Sequence, residues 1–127
     1  MSILFKSQMR KNPQDVEAPA KFYASSIASG ETDFETLAGL ISYQSTLTES
    51  DCLAVLSSLE FNIMDELKQG KIVKLGRLGN FQVSISSEGS NTAEEVSANK
   101  ITKKRILFRP GKRLRNLLNE LSFRNAS

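Results

Sequence analysis

The sequence predicts an α+β fold in a single domain, and three observations support this prediction. The chain has 127 residues, which is enough for one domain with a modest core. Apolar residues follow a two-residue period near the start of the chain and again in its second half, and a helical period in between. Breaks that contain Pro or Gly separate these segments. Their order is strand pieces, two helices, two or three strands and a final helix, which defines an α+β arrangement.

The first segment is a strand over residues 3–10, where apolar and polar side chains alternate. Asn12 and Pro13 interrupt it. A second extended piece covers residues 21–24, and we expect the two pieces to pair or to extend a sheet. Residues 1–31 are therefore predicted to form an N-terminal extension with one or two short strands.

Two helices follow the extension. The first is predicted to begin near Thr32 or Asp33. Thr48 is a strong N-cap candidate, because its hydroxyl can accept a hydrogen bond from the first turn of a second helix over residues 49–69. Gly70 ends that helix.

The second helix is apolar over much of its surface, so one neighbouring element does not cover it. Its main apolar stripe consists of Cys52, Val55, Leu56, Leu59, Ile63 and Leu67. Since the chain has few other helices, a second subunit is the expected cover. Cys52 lies on this stripe, and we interpret it as core packing rather than as a reactive thiol.

After Gly70 the apolar period changes to that of strands. Residues 72–75 and 81–85 are predicted strands joined by a turn, and residues 101–108 alternate again. Between them, residues 86–99 are small and polar, which is typical of a long loop or flexible arm. The last helix is predicted over residues 111–121.

The composition argues against several classes of protein. The chain has no His, so the most common general base and metal ligand are missing, and its single Cys allows no internal disulfide. We therefore expect no enzyme activity, cofactor, metal or small-molecule substrate. No apolar run is long enough to cross a bilayer or to form a signal-peptide core, so we expect a cytoplasmic protein without a membrane partner.

The charge is distributed very unevenly along the chain. The formal net charge is +3, but from Lys100 onward there are nine basic residues and one acid, whereas residues 1–99 contain eight basic residues and thirteen acids. Such asymmetry indicates an electropositive surface for a polyanion such as nucleic acid. The alternative is a basic C-terminal helix that is merely solvated.

Several short motifs, in this order and spacing, resemble those of a known family. Residues 37–81 contain a helix, a Leu-Thr helix start, a Leu before Lys-x-Gly, a Val-x-Leu strand and a Gly-x-Phe turn at residues 79–81. Near the end, residues 108–112 read Phe-Arg-Pro-Gly-Lys before a basic helix. Over residues 33–121 the chain resembles the HU and integration host factor family of bacterial histone-like DNA-binding proteins, in a divergent branch with an N-terminal extension.

The resemblance implies an intertwined dimer in which each subunit has two N-terminal helices, a three-stranded antiparallel sheet with a β-arm, and a C-terminal helix. The corresponding domain covers residues 32–127, with the arm at about 84–105. The implied partner is double-stranded DNA, held in the minor groove by the arms. The chain would form a homodimer, although heterodimers also occur in the family, and would act in the nucleoid in DNA condensation.

The resemblance also implies which side chains contact DNA. Arg109, Lys112 and Arg115 match basic positions around the start of the family's last helix, which approach the phosphate backbone. The full set of candidates is Arg109, Lys112, Arg113, Arg115, Lys100, Lys103, Lys104, Arg105, Lys74 and Arg77. The strand period places Lys103 and Arg105 on one face and Lys104 on the other. We interpret Gly79 and Phe81 as structural.

The arm departs from the family pattern. Residues 86–99 contain no basic residue and no proline, but three acids, Glu88, Glu94 and Glu95. Nothing there can wedge between base pairs, and the acids repel phosphates. We therefore expect little bending, and contact through the body and the base of the arm. Few side chains look suited to reading base edges, so we also expect weak sequence preference. The alternatives are a structural or interaction dimer that has lost strong DNA binding, and binding of RNA through the same surface.

Overall fold

The computed structural model describes residues 1–126, and the predicted α+β class is confirmed. The elements in chain order are β1 (Ile3–Arg10), β2 (Lys21–Ile27), α1 (Phe34–Tyr43), α2 (Glu49–Lys68), β3 (Val73–Lys74), β4 (Gly79–Ser87), β5 (Ile101–Pro110), α3 (Lys112–Leu117) and β6 (Phe123–Asn125). They form two compact units. The first contains residues 1–33 and the chain from Leu117 onward, and the second contains residues 34–116. The domain boundary predicted between residues 31 and 32 stays a prediction.

The first unit is a three-stranded sheet with the order β2-β1-β6. The two predicted N-terminal strands are present and pair antiparallel, from Leu4 opposite Ile27 to Arg10 opposite Lys21. β2 extends three residues beyond its predicted end. β6 was not predicted, because three residues are too short to show a period. It pairs parallel with β1, and the Ile3 N–H donates to the Ser122 carbonyl at 2.8 Å.

In the second unit, α1 and α2 lie where their sequence signals place them. The Thr48 hydroxyl accepts a hydrogen bond from the Asp51 N–H at 3.1 Å, as the predicted N-cap requires. At the other end, Gly70 has a φ of 79°, a conformation that glycine adopts at little cost, and the helix ends just before it.

The second unit also contains the predicted three-stranded antiparallel sheet, with the order β3-β4-β5. β4 and β5 pair over most of their length and form a two-stranded ribbon. Nine residues of β4 correspond to about 30 Å of extended chain. The loop that joins the strands contains two short 3₁₀ turns, Ala93–Glu95 and Ala98–Lys100, where the sequence analysis predicted an arm without regular structure.

The last helix is shorter than predicted. α3 ends at Leu117, a 3₁₀ turn follows at Leu118–Glu120, and Leu121 is already extended with ψ of 142°. The leucine pattern that predicted a helix over residues 111–121 therefore overestimates it. A helix of this length has little intrinsic stability, and the chain after it gains backbone hydrogen bonds by joining β1.

Few side chains are fully buried within the described residues. Ala38 of α1 and Cys52 of α2 are the fully buried apolar ones, and Cys52 is 2% exposed as a free thiol. Its predicted role in packing is confirmed. The other apolar residues of α2 are half-buried or exposed, so this helix keeps the uncovered apolar surface that the sequence predicts.

Replacing Thr48 with Ala removes the acceptor for the Asp51 N–H at the start of α2. We expect the free energy of unfolding to fall by about 1 kcal/mol, the typical value of an N-cap. Urea denaturation followed by circular dichroism measures this loss. Thr46→Ala removes the same atoms from the preceding loop and is the matched control. Equal losses in the two variants would contradict the role of the cap.

Candidate nucleic-acid interface

Apolar side chains lie mainly on one face of the β4–β5 ribbon, and basic side chains mainly on the other. Residues directly opposite each other in an antiparallel pair have side chains on the same face. Phe81 lies opposite Phe108, with ring centroids 4.9 Å apart. Val83 lies opposite Ile106. These four residues define the apolar ribbon face, which turns toward α2, because Phe81 and Ile106 line a groove together with apolar side chains of that helix.

The opposite side of the ribbon carries the predicted cations. Arg105 lies opposite Ser84, Lys103 opposite Ser86, and Arg109 opposite Asn80. Asn80 is in turn paired with Lys74 of β3, so Lys74 and Arg109 flank it in a row across the three strands. We call Lys74, Lys103, Arg105 and Arg109 the basic ribbon face. All four side chains are exposed.

Polar residues of β4 complete this face, and they are not among the predicted DNA contacts. They are Asn80, Gln82, Ser84 and Ser86. The Ser86 hydroxyl accepts a hydrogen bond from the Arg105 guanidinium at 2.9 Å. The signal was present in the sequence, since these residues alternate with Phe81, Val83 and Ile85. The basic ribbon face therefore has neutral polar neighbours on β4 and no carboxylate on the paired strands, and it also contains the half-buried Leu107 opposite Gln82.

Two of the predicted cations lie away from this face. Lys104 is opposite Ile85, on the side of the apolar ribbon face, as the strand period predicted. Lys100 is half-buried at the end of the second 3₁₀ turn, where its carbonyl accepts a hydrogen bond from the Glu88 N–H at 2.9 Å. A register shift at Ser86 and Ser87 separates Lys100 from the regular part of the ribbon.

A close backbone contact joins the β3–β4 turn to the start of α3. The Gly111 N–H donates to the Leu78 carbonyl at 3.0 Å. A Cβ atom at Gly111 would overlap the carbonyl of Arg77, so only glycine allows this approach. Arg77 on the turn and Lys112 after the glycine are both exposed, and this contact brings their backbones together.

The three cations of α3 lie on different sides of a short helix. Lys112 and Arg115 are three residues apart and share a side, whereas Arg113 is rotated away from both. All three are exposed. Lys74 and Arg109 therefore lie in one row, and the backbones of Arg77 and Lys112 lie close together. Arg105 and Lys103 lie farther along the same face of the ribbon.

The far end of the ribbon has the opposite charge. Glu88, Glu94 and Glu95 are exposed in the connecting loop, and two of them lie in the first 3₁₀ turn. The acidic loop therefore begins just beyond Lys103, where the positive charge of the basic ribbon face ends.

Over residues 1–126, no group of three or more His, Cys, Asp or Glu side chains is arranged to hold a metal ion. Within the same residues, no helix combines the length and the apolar character needed to span a bilayer.

Gly79 fixes the end of the ribbon that carries Arg109. Its φ is 142°, and a Cβ atom there would lie 2.5 Å from the Arg109 carbonyl oxygen and 2.8 Å from the Phe108 ring. We expect Gly79→Ala to lower the free energy of unfolding by about 3 kcal/mol through backbone strain and overpacking. Gly89→Ala, in open space, is the control and should change it by less than about 0.5 kcal/mol. Chemical denaturation compares them, and similar stability of the two variants would contradict the assigned role of Gly79.

Comparison with solved structures shows a shared fold. A protein from Bacteroides vulgatus, described as a "Putative bacterial DNA binding protein", superimposes with a TM-score of 0.65 and 11% sequence identity. The match covers 99% of this chain and 49% of that one, so the chain spans about half the length of its solved neighbour. No curated protein matches the sequence.

Comparison with family models identifies the family. The HU-HIG model, described as an HU domain fused to a winged helix-turn-helix, immunoglobulin or glycine-rich motif, matches residues 1–125. The match includes both the N-terminal strands and the ribbon, and it confirms the resemblance to HU proteins that the sequence motifs indicated. The chain therefore belongs to the HU-HIG family.

Proposed function

We propose that this protein is a histone-like architectural protein that binds duplex DNA through the phosphate backbone, with little sequence specificity. The observation that carries the proposal is the basic ribbon face, where Lys74 and Arg109 flank Asn80 and Arg105 and Lys103 continue the charge. Membership of the HU-HIG family supports it, as does the description of the structural neighbour as a DNA-binding protein. In this proposal the protein is not an enzyme and acts in the cytoplasm, at the nucleoid.

The electrostatics of the ribbon favour a polyanion. Among the described residues, the cations of the basic ribbon face form no ion pair with a carboxylate, whereas Lys71 is paired with Glu66 at 3.0 Å. Unpaired surface cations can displace the counterions that surround DNA, and the release of those ions supplies affinity without reading the sequence. Arg77, Lys112 and Arg115 would add contacts at the base of the ribbon.

Little sequence specificity follows from how these side chains are held. Reading a base requires donors fixed at one position in a groove. All four cations of the basic ribbon face are exposed, and within the described residues only Arg105 of the four forms a side-chain hydrogen bond, to Ser86. Exposed cations of this kind suit phosphate contacts. The acidic tip also argues against insertion of the arm and strong bending of the duplex.

The proposal includes a dimer. A groove of about 350 Å³ lies between α2 and the apolar ribbon face. Its apolar lining residues are Phe34, Leu56, Leu59, Ile63, Met64, Leu67, Leu75, Leu78, Phe81 and Ile106. Met64 is 53% exposed and Ile106 67% exposed, an unfavourable arrangement for side chains of this size. A second copy of the chain would cover the groove, as in the dimers of the family.

Removing two cations from the basic ribbon face should weaken DNA binding and make it less dependent on salt. For Lys74→Ala with Arg109→Ala, the slope of log K against log salt should become shallower by about 2, since each lost phosphate contact contributes about 0.9. Lys112→Ala with Arg115→Ala should act in the same direction. Fluorescence anisotropy with duplexes of several sequences, over a salt series, measures both the slope and the specificity.

Lys71→Ala is the control, because it removes a positive charge just after α2, outside the proposed surface and the groove, and should leave the slope unchanged. Unchanged binding by the two site variants would contradict the proposed surface. If the folded wild-type protein binds no duplex even at low salt, the protein is instead a structural or interaction dimer, as its acidic arm tip would permit.

Introducing a charge into the groove should break the dimer. We expect wild-type protein to have the mass of two chains in sedimentation equilibrium. Met64→Asp should shift it to one chain at the same concentration, because burying an unpaired carboxylate costs several kcal/mol. The milder Met64→Ala should weaken association by at least about tenfold, since truncating a buried Met costs about 2 kcal/mol or more.

Val96→Asp is the control, because Val96 is equally apolar and exposed but lies in the arm loop. A wild-type protein with the mass of one chain would contradict the proposed homodimer. Dimerisation only with a different chain would replace it with a heterodimer.

A further inference from the structure

The sheet of the first unit is also divided into two chemically different faces. From the register of β1 with β2, Lys6 shares a face with Ser25, Gln8 with Tyr23, and Arg10 with Lys21. Arg124 of β6 joins this face opposite Leu4. The other face is apolar and contains Ile3, Phe5, Met9, Phe22 and Phe123. We call Lys6, Arg10, Lys21 and Arg124 the N-terminal basic face.

A cleft opens at one end of this face. It has a volume of about 450 Å³ and lies where the β1–β2 loop leaves the strands. Three cations line it, Arg10, Lys11 and Lys21, together with Asn12, Tyr23 and small or proline residues of the loop. No carboxylate lines the cleft. Its chemistry therefore suits an anion.

The charges at the cleft repel one another in the absence of an anion. Arg10 and Lys21 are directly opposite each other on neighbouring strands, and like charges in this arrangement destabilise a sheet. Lys11 follows Arg10 immediately. Among the described residues, no carboxylate forms an ion pair with any of the three. A bound phosphate would turn this repulsion into three attractive interactions.

Tyr23 orients one of these cations. The Arg10 guanidinium carbon lies 5.7 Å from the centre of the Tyr23 ring, within the range of a cation–π interaction. A guanidinium held against a ring keeps donors free at its edge, and these donors can bind a phosphate in bidentate fashion. Arg10 is thus positioned in advance for an anion in the cleft.

We propose that this cleft and the N-terminal basic face bind phosphates of a nucleic acid backbone and form a second DNA contact. The choice of DNA as ligand rests on the proposed function. The arrangement of charge favours a polymer over a single phosphate, since Lys6 lies four residues from Arg10 on the same face, about 13 Å along the strand. A phosphate bound between Arg10 and Lys21 is too far from Lys6 to contact it, so Lys6 needs another phosphate farther along a chain.

Arg10→Gln with Lys21→Gln tests this inference in the full chain. Both residues are exposed, so the variant should fold, and circular dichroism checks it. The slope of log K against log salt for duplex DNA should become shallower by about 2 relative to wild type. Combining this variant with Lys74→Ala and Arg109→Ala should give the sum of the two slope changes. Lys71→Gln removes a positive charge outside both proposed DNA surfaces and should leave the slope unchanged.

A binding signal at the cleft itself distinguishes the sources of phosphate. In NMR spectra, the Tyr23 amide of wild-type protein should shift on addition of duplex DNA. Inorganic phosphate at the same phosphate concentration should have a much smaller effect. Equal shifts from both would overturn the inference, because the cleft would then be a site for free phosphate.

The slopes separate this inference from the proposed function. If Arg10→Gln with Lys21→Gln binds with the wild-type slope while Lys74→Ala with Arg109→Ala does not, the second contact is wrong and the ribbon remains the DNA surface. If only the cleft variant changes the slope, the cleft contact is supported and the ribbon surface is wrong. If wild-type protein binds no duplex, both proposals fail.

Discussion

The register of β4 against β5 determines which side chains of the second unit face α2 and which face away. The side-chain period of a strand is two residues, so a slip of one position would exchange the apolar ribbon face with the basic one. Gly79 and Phe108 fix the register at the base, where they approach too closely to allow a Cβ atom between them. The contact between the Phe81 and Phe108 rings stabilises the same register at the Phe81–Phe108 pair. Every later assignment of a cation to a surface depends on this alignment.

The same ribbon links the proposed dimer to the proposed DNA surface. A two-stranded ribbon has marginal stability alone, and its apolar face contacts α2 only in part. A second copy that covers the groove would therefore hold the basic ribbon face in its pairing register. Both DNA and the second subunit would bind the ribbon in its ordered, paired form and would therefore stabilise that form. The binding of one would then strengthen the binding of the other. This coupling requires no contact between the groove and the DNA.

Local signals in the sequence predicted most of the second unit. Thr48 and Gly70 defined the ends of α2 because capping depends on a few neighbouring residues. The alternation around Lys104 gave its correct face for the same reason. β6 and the end of α3 could not be predicted in this way. Their conformation depends on pairing with β1, which lies more than one hundred residues earlier in the chain.

The candidate sites show the same division between local and long-range information. The sequence identified Lys74 and Arg109 separately, but their common row depends on two strand registers that meet at Asn80. The N-terminal basic face is not apparent from the sequence. Arg124 and Lys6 lie at opposite ends of the chain, and residues 1–99 have an excess of acids that conceals the local cluster. Counting charge along the sequence finds a basic segment, but not a basic face assembled from distant strands.

The acidic tip of the ribbon restricts how the proposed DNA complex can form. Glu88, Glu94 and Glu95 would lose their hydration next to phosphates and gain repulsion, so a duplex is best placed against the paired strands and not against the loop. Contact with the paired strands alone gives up the surface that a wrapped arm would provide. Affinity must then come from additional cations on other parts of the molecule. The proposed contact at the N-terminal basic face would meet that need, because each further phosphate contact adds counterion release whether or not the duplex is bent.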